Sequence, residues 1–176
     1  MANRTLHWNK KDMRLHLAII DGKKAPSLVL KDATYLNTAL KKWVKANIWI
    51  EKDRIVYVGP DMPLKPAKET LDCSKQYLVP GYIEPHAHPF FIYNPLTLAQ
   101  FAAKHGTTTI VNDNLLMFLQ LPFEKALSII EEFNNLPSSM YWWARYDSQS
   151  EMENEDLIFT NGKVKQWLSH PSVLQG

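Results

Sequence analysis

The stretch "LVPGYIEPHAHPF", Leu78 to Phe90, decides how the rest of this chain is read. An apolar run passes through Pro80-Gly81 into two histidines one residue apart, and Pro89 then stops it. Successive side chains of a strand point to opposite faces, so residues two apart share a face. If Tyr82 to His88 is extended, His86 and His88 project side by side, with Glu84 behind them. Two neutral imidazoles on one face begin a metal site. A His-x-His alone is more often an ordinary polar pair; its place at a strand end, after an apolar Pro-Gly run, favours ligation. Glu84 has two readings, as a carboxylate that orients an imidazole or as an acceptor for a backbone amide.

Outward toward the C-terminus, strand and helix alternate. Strand "YLVPGYIEPHAH" is followed by helix "PLTLAQFAAKHG", with proline near its start and glycine after its end. "TTTIVND" is a β-branched strand, and "PFEKALSIIEEF" a helix with Phe123, Ala126, Leu127, Ile130 and Phe133 on one face. "SMYWWARY" reads as a third strand, "NGKVKQWLS" as a third helix, and "SVLQG" as the start of a fourth strand. Such alternation implies a parallel sheet, and in a (β/α)8 barrel the active site lies at the carboxyl ends of the strands. His86 and His88, Asn112-Asp113 and Arg145-Tyr146-Asp147 all fall at such ends. Asp113, Arg145 and Asp147 are therefore candidate pocket residues. Each has a plainer reading: Asp113 as a cap for the following turn, Arg145 and Asp147 as a surface pair.

Outward toward the N-terminus, "NKKDMRLHLAII" reads as a helix: Asn9 caps it, Asp12 suits its first turn, and Met13, Leu17 and Ile20 recur at helical spacing. Asp21-Gly22 ends it. "VKANIWIE" alternates, which predicts that Val44, Ala46, Ile48 and Ile50 bury one face of a strand. "EKDR" makes a turn, "IVYVG" returns as a second strand, and "PSLVLKDATYLN" and "KETLDC" are further strands around the proline-punctuated loop "PDMPLKPAK". The expected division is an N-terminal helical segment (1–25), a small antiparallel β-sandwich-type domain (26–76) and an incomplete (β/α) barrel (77–176).

Composition narrows the function. Twenty basic against 18 acidic residues leave a charge of +2, too balanced for a nucleic-acid surface. A single cysteine, Cys73, excludes an internal disulfide and a cysteine-rich zinc site. The most apolar run, "LLMFLQLPF", is broken by Gln120 and Pro122 and is too short for a bilayer, which needs ~20 apolar residues. With no signal-peptide pattern at the start, the expectation is a cytoplasmic protein without membrane or nucleic-acid partners. The sequence lacks the H-x-E plus P-C-x-x-C of cytidine-deaminase-type sites, a Walker or dinucleotide glycine pattern, and a G-x-S-x-G elbow. His7, His16, His105 and His170 read as structural, His105 because a helix C-terminus favours an imidazolium.

"LVPGYIEPHAH" followed by "AAKHGTTTIV" resembles the amidohydrolase superfamily, and within it the adenine deaminases and their uncharacterised relatives. The matching residues are Pro80, Gly81, Tyr82, Ile83, Glu84, His86 and His88, then His105 through Thr109; "NIWIEKDRIVYVG" resembles the family's small β-sandwich domain. The resemblance implies a metal-dependent hydrolase of C–N bonds with a TIM-like barrel, His86 and His88 as the first two metal ligands, and a divalent cation, zinc, manganese or iron. A bound cation lowers the pKa of water to ~7, giving a nucleophile at neutral pH. For adenine deaminase the substrate is a purine base, converted with water to hypoxanthine and ammonia. This chain departs from the adenine-deaminase pattern at two rim segments, "PFFIYNP" after the second histidine and "NDNLLM" at the end of the Thr-Thr-Thr strand. A bridging carboxylate, two further histidines and an aspartate are expected beyond Gly176, so the chain reads as the N-terminal portion of an enzyme, inactive alone and able to form a homo-oligomer. Two alternatives stand beside this: a cyclic amidohydrolase of the same superfamily, and a non-catalytic truncated remnant.

Overall fold

The computed structural model describes residues 9–148 and 150–174. They fall into two compact units, one ending at Pro80 and the other beginning at Gly81.

The first unit opens with α1 (Lys10–Ile20). Asn9 is extended and its side chain accepts the Asp12 N–H at 2.9 Å, the cap expected from sequence. Met13, Leu17 and Ile20 nonetheless stay exposed. The packed face carries Leu15 and Ile19, which meet Val29 and Trp49 of the sheet. Residues 13, 17 and 20 and residues 15 and 19 both follow helical spacing, and only the sheet decides which set is covered.

That sheet contains β1 (Leu28–Asn37), β2 (Lys42–Glu51), β3 (Arg54–Gly59), β4 (Glu69–Asp72) and β5 (Tyr77–Leu78). The antiparallel expectation holds for β1–β2 and β2–β3 only. Both β4 and β5 pair with β1 in parallel, one after the other along its free edge, making a single mixed sheet in the order β3-β2-β1-β4. The physical cause is the proline-rich loop after β3, which carries the chain back to the start of β1 before β4 begins. Ala46 and Ile48 are buried, and Val44 and Ile50 half-buried, as their alternation predicts. The opposite face is covered too. Trp49 Nε1 donates to the Asp61 carbonyl (3.1 Å), and Asn47 Nδ2 to that of Pro60 (2.8 Å). Asn47 Oδ1 also accepts the N–H of Asp32, which sits in a left-handed conformation (φ 55°) at a bulge in β1.

The second unit comprises β6 (Tyr82–Ala87), α2 (Pro95–Lys104), β7 (Thr107–Asp113), α3 (Leu115–Gln120), α4 (Phe123–Glu132), β8 (Ser139–Trp143), α5 (Glu155–Ile158), α6 (Asn161–Leu168) and β9 (Val173–Leu174). All strand pairs are parallel, in the order β6-β7-β8-β9. This is the sheet that βα alternation implies. Asn94 caps α2 by accepting the Thr97 N–H (2.9 Å), Pro95 occupies its first turn, and Gly106 closes it at φ +89°. Helices α3 and α5 are not anticipated by the sequence pattern. The apolar run Leu115–Gln120 forms a short helix that buries Met117 and Phe118. These two join Ala126, Ile130, Trp142 and Trp167 in the main core. Ala99, Ile110 and Met140 form a second cluster between α2 and the sheet. Among the described residues no helix is long and apolar enough to cross a membrane.

The opening strand of the sequence reading is in fact two. Tyr77–Leu78 pairs with β1, Tyr82–Ala87 pairs with β7, and Val79–Gly81 lie between. Pro80 has no N–H to give a ladder. Gly81 is required by close approach: a Cβ there would lie 2.2 Å from Thr108 Oγ1 and 2.7 Å from its Cβ. Thr108 is β-branched and stiff, so it cannot swing aside cheaply. Gly81→Ala is expected to cost about 1–3 kcal/mol by overpacking, read as a lowered denaturant midpoint. A variant as stable as the parent would show that the contact yields freely.

Candidate metal centre

Three neighbouring strands deliver polar side chains to one end of the parallel sheet. His86 lies near the end of β6 with His88 just beyond it, Asp113 is the last residue of β7, and Arg145 follows β8. Register makes these ends level: Ala87 is opposite Asn112, and Asp113 opposite Trp143. Trp143 Nε1 donates to the Pro85 carbonyl (2.9 Å), reaching from β8 to the segment that carries the histidines.

His86 and His88 point the same way, with ring centroids 4.9 Å apart and planes inclined by 32°. This is the period-2 geometry expected of Tyr82–His88. Asp113 Oδ2 sits 3.5 Å from His86 Nε2, 3.9 Å from His88 Nδ1 and 3.2 Å from Arg145 Nε. One ligand atom from each of His86, His88 and Asp113 lies within 4.8 Å of the others. The imidazoles are about half exposed (46% and 47%), whereas the Asp113 carboxylate is buried (3%).

The two oxygens of Asp113 have different surroundings. Oδ1 accepts the Leu115 N–H at 2.7 Å and so starts α3. Oδ2 faces the histidines and has no hydrogen-bond partner; the Arg145 Nε beside it is not aligned to donate. The ion pair with Arg145 balances its charge, but a buried oxygen that accepts no hydrogen bond is still costly. A divalent cation shared with the two imidazoles would satisfy it, and nitrogen and carboxylate ligands suit zinc. The residues present therefore fit the metal that the resemblance implies.

Glu84 Oε1 accepts the His86 backbone N–H (3.0 Å), so its partner is an amide and not an imidazole. Arg145 is no surface residue: its side chain is 9% exposed and its nearest acid is Asp113, with Asp147 at 3.9 Å on the solvent side. The sequence left it open between the pocket and a surface pair, because nothing in "WARYDS" shows that β8 ends at Trp143 and turns its arginine inward. Of the other histidines, His105 Nδ1 donates to the Phe101 carbonyl (2.8 Å) at the C-cap of α2. His170 Nδ1 accepts the Ser172 N–H (3.2 Å), and burial pushes this imidazole's pKa down. His16 is buried on α1, and His7 lies outside the described residues. Asn114 is a site residue that the sequence reading missed. It is fully buried, and its Oδ1 accepts the Arg145 N–H (3.3 Å), tying the end of β7 to the turn after β8. The polar triplet Asn112-Asp113-Asn114 after an apolar strand was the available signal. Beside the cluster, His88, Phe90, Phe91, Asp113 and Leu116 line a small recess, with Phe91 edge-on to His88 (5.6 Å).

No protein-family profile matches the chain. It is 57% identical, over all of its length, to a protein of Halalkalibacterium halodurans named "putative adenine deaminase". It is 50% identical, again over its whole length, to one of Bacillus subtilis with the same name. The chain is homologous over its whole length to these proteins named putative adenine deaminase. It matches the N-terminal part of these relatives and spans about a third of their length, 31% and 30%. Among solved structures, N-acyl-D-glutamate deacylase of Bordetella bronchiseptica, complexed with zinc and a phosphonate inhibitor, superposes with a TM-score of 0.56 at 15% identity. That match covers 77% of this chain and 35% of the deacylase. At that identity the likeness speaks for the fold alone.

Proposed function

We propose that this chain supplies the first part of the active site of a metal-dependent aminohydrolase, which hydrolyses an exocyclic C–N bond of an aminopurine such as adenine. The observation that carries the proposal is Asp113 Oδ2, buried, without a hydrogen-bond partner, and facing two imidazoles from the neighbouring strand end. His86, His88 and Asp113 would hold a divalent ion, zinc, manganese or iron. When bound, such an ion supplies Lewis acidity and a water acidic enough to be a nucleophile near neutral pH. The chain's own residues set the stage for it. The β6–β7 register holds the imidazoles over the carboxylate, and Leu115 N–H fixes the carboxylate's rotation. Phe90 and Phe91 line the recess beside the cluster, and Asp147, 42% exposed, stands on the solvent side of Arg145. Deamination would convert adenine and water to hypoxanthine and ammonia.

A small-molecule substrate, a cytoplasmic setting, a homo-oligomeric state and the lack of nucleic-acid or membrane partners belong to the same reading. A cyclic amide is the second substrate class, favoured by the two rim segments, "PFFIYNP" and "NDNLLM", that depart from the adenine-deaminase pattern. Since the chain spans about a third of its relatives, the rest of the site is assigned to residues outside it. The whole protein loaded with each metal should therefore release ammonia from adenine, while the 176-residue chain alone binds metal without enzymatic turnover. Chelator-sensitive turnover by the chain alone would show that the site is complete within it. Ring opening of cyclic amides without ammonia from any aminopurine would select the second substrate class.

A further inference from the structure

We infer that Arg145 is a positioning residue that acts as a resident counter-cation for Asp113, holding the carboxylate ready and setting how tightly the site takes a metal. The inference rests on the proposed metal role of His86, His88 and Asp113. Its basis is the arrangement on the far side of the carboxylate. Arg145 Nε lies 3.2 Å from Asp113 Oδ2, closer than either imidazole nitrogen, and both side chains are nearly buried. The guanidinium is delivered by the backbone rather than by chance: Asn114 Oδ1 accepts the Arg145 N–H, and Asn114 adjoins Asp113 in sequence. Yet neither Nε nor Oδ2 completes a hydrogen bond. Charge is neutralised while the lone pairs of Oδ2 stay unspent, and that is the state a metal ligand must be kept in. A guanidinium locked bidentate onto the carboxylate would compete with the metal for the same oxygen. With no cation beside it, the buried carboxylate would carry an uncompensated charge, which is costly.

The same charge must oppose an arriving metal. Arg145 and a divalent ion would both lie against Oδ2, and their repulsion, screened as at the half-exposed imidazoles, weakens binding by about tenfold. Arginine cannot relieve this by losing its proton. The arginine thus exchanges affinity for a carboxylate that stays charge-paired and oriented when the metal is absent. A merely structural arginine would give the opposite sign, because its removal would loosen the site and weaken metal binding.

The test is zinc titration of the 176-residue chain at pH 7.5, with thermal melts in chelator and in excess zinc, for the parent, Arg145→Lys, Arg145→Met and Arg145→Gln. The expected result is that Arg145→Met and Arg145→Gln melt lower than the parent in chelator but bind zinc about tenfold more tightly. Zinc should raise their melting temperatures by more than it raises the parent's. Arg145→Lys should keep the parent's affinity. If Arg145→Met fails to fold, Arg145→Gln, which keeps most of the volume and a polar head, decides the same question. Neutral variants that bind zinc as weakly as the parent, or more weakly, would overturn the inference and leave the metal site standing. Absence of zinc binding in the parent and every variant would overturn the metal site itself.

Discussion

His88→Ala is expected to weaken zinc binding by the chain at least ~100-fold, while His105→Ala leaves it unchanged. The magnitude follows because removal of a direct ligand exceeds the 10–100-fold typical of losing the partners that orient one. The contrast between the two histidines is geometric. His88 Nδ1 stands 3.9 Å from Asp113 Oδ2, which accepts no hydrogen bond, whereas the His105 ring is engaged by the Phe101 carbonyl and lies tilted against the Phe101 ring at 4.4 Å. His105→Ala should cost about 1 kcal/mol or less of stability, the scale of a charge or hydrogen bond at a helix C-terminus. Zinc content after dialysis and the melting temperature of each variant separate the two effects. Equal zinc loss in both variants would mean that the cluster at the strand ends is not where metal is held.

Trp142→Ala is expected to be the most destabilising single change in the second unit, at about 3–5 kcal/mol. Trp142 is fully buried on β8, and both Phe90 and Phe133 stack on it at 6.0 Å. Phe90 also lines the recess beside His88, so the cavity would open directly behind the candidate site. The melting temperature should fall by roughly 15 °C. Trp142→Phe should cost much less, because the indole N–H has no hydrogen-bond partner to lose and a ring still fills most of the space. Similar losses for the two variants would show that the indole's polar edge, not its volume, matters there.

Most of the second unit was legible because its signals are local. Asn94, Pro95 and Gly106 mark the limits of one helix, "TTTIVND" is β-branched, and the apolar positions of α4 keep helical spacing. Parallel direction follows from the alternation itself. The first unit was legible only pairwise. The hairpin of β2 and β3 is written in the turn between them, but which edge of β1 receives β4 and β5 depends on where a proline-rich loop leads. No local pattern records that. The site shows the same limit. His86 and His88 share a face because they are two residues apart, a property of any strand. That Asp113 would accept the Leu115 N–H with one oxygen and meet the histidines with the other, and that Arg145 would turn inward behind it, depends on the level alignment of three strand ends. Residue types pointed to the rim; only the register joins them.

The claim on which all of this depends is that His86, His88 and Asp113 hold one divalent ion together. X-ray absorption at the zinc edge, on the zinc-loaded 176-residue chain, measures that most directly. The expected spectrum shows two imidazole nitrogens at about 2.0–2.1 Å with the remaining ligands oxygen, and Asp113→Asn should lower zinc affinity. A spectrum with a single imidazole or a sulfur ligand, or one that is unchanged in His86→Ala, would contradict it.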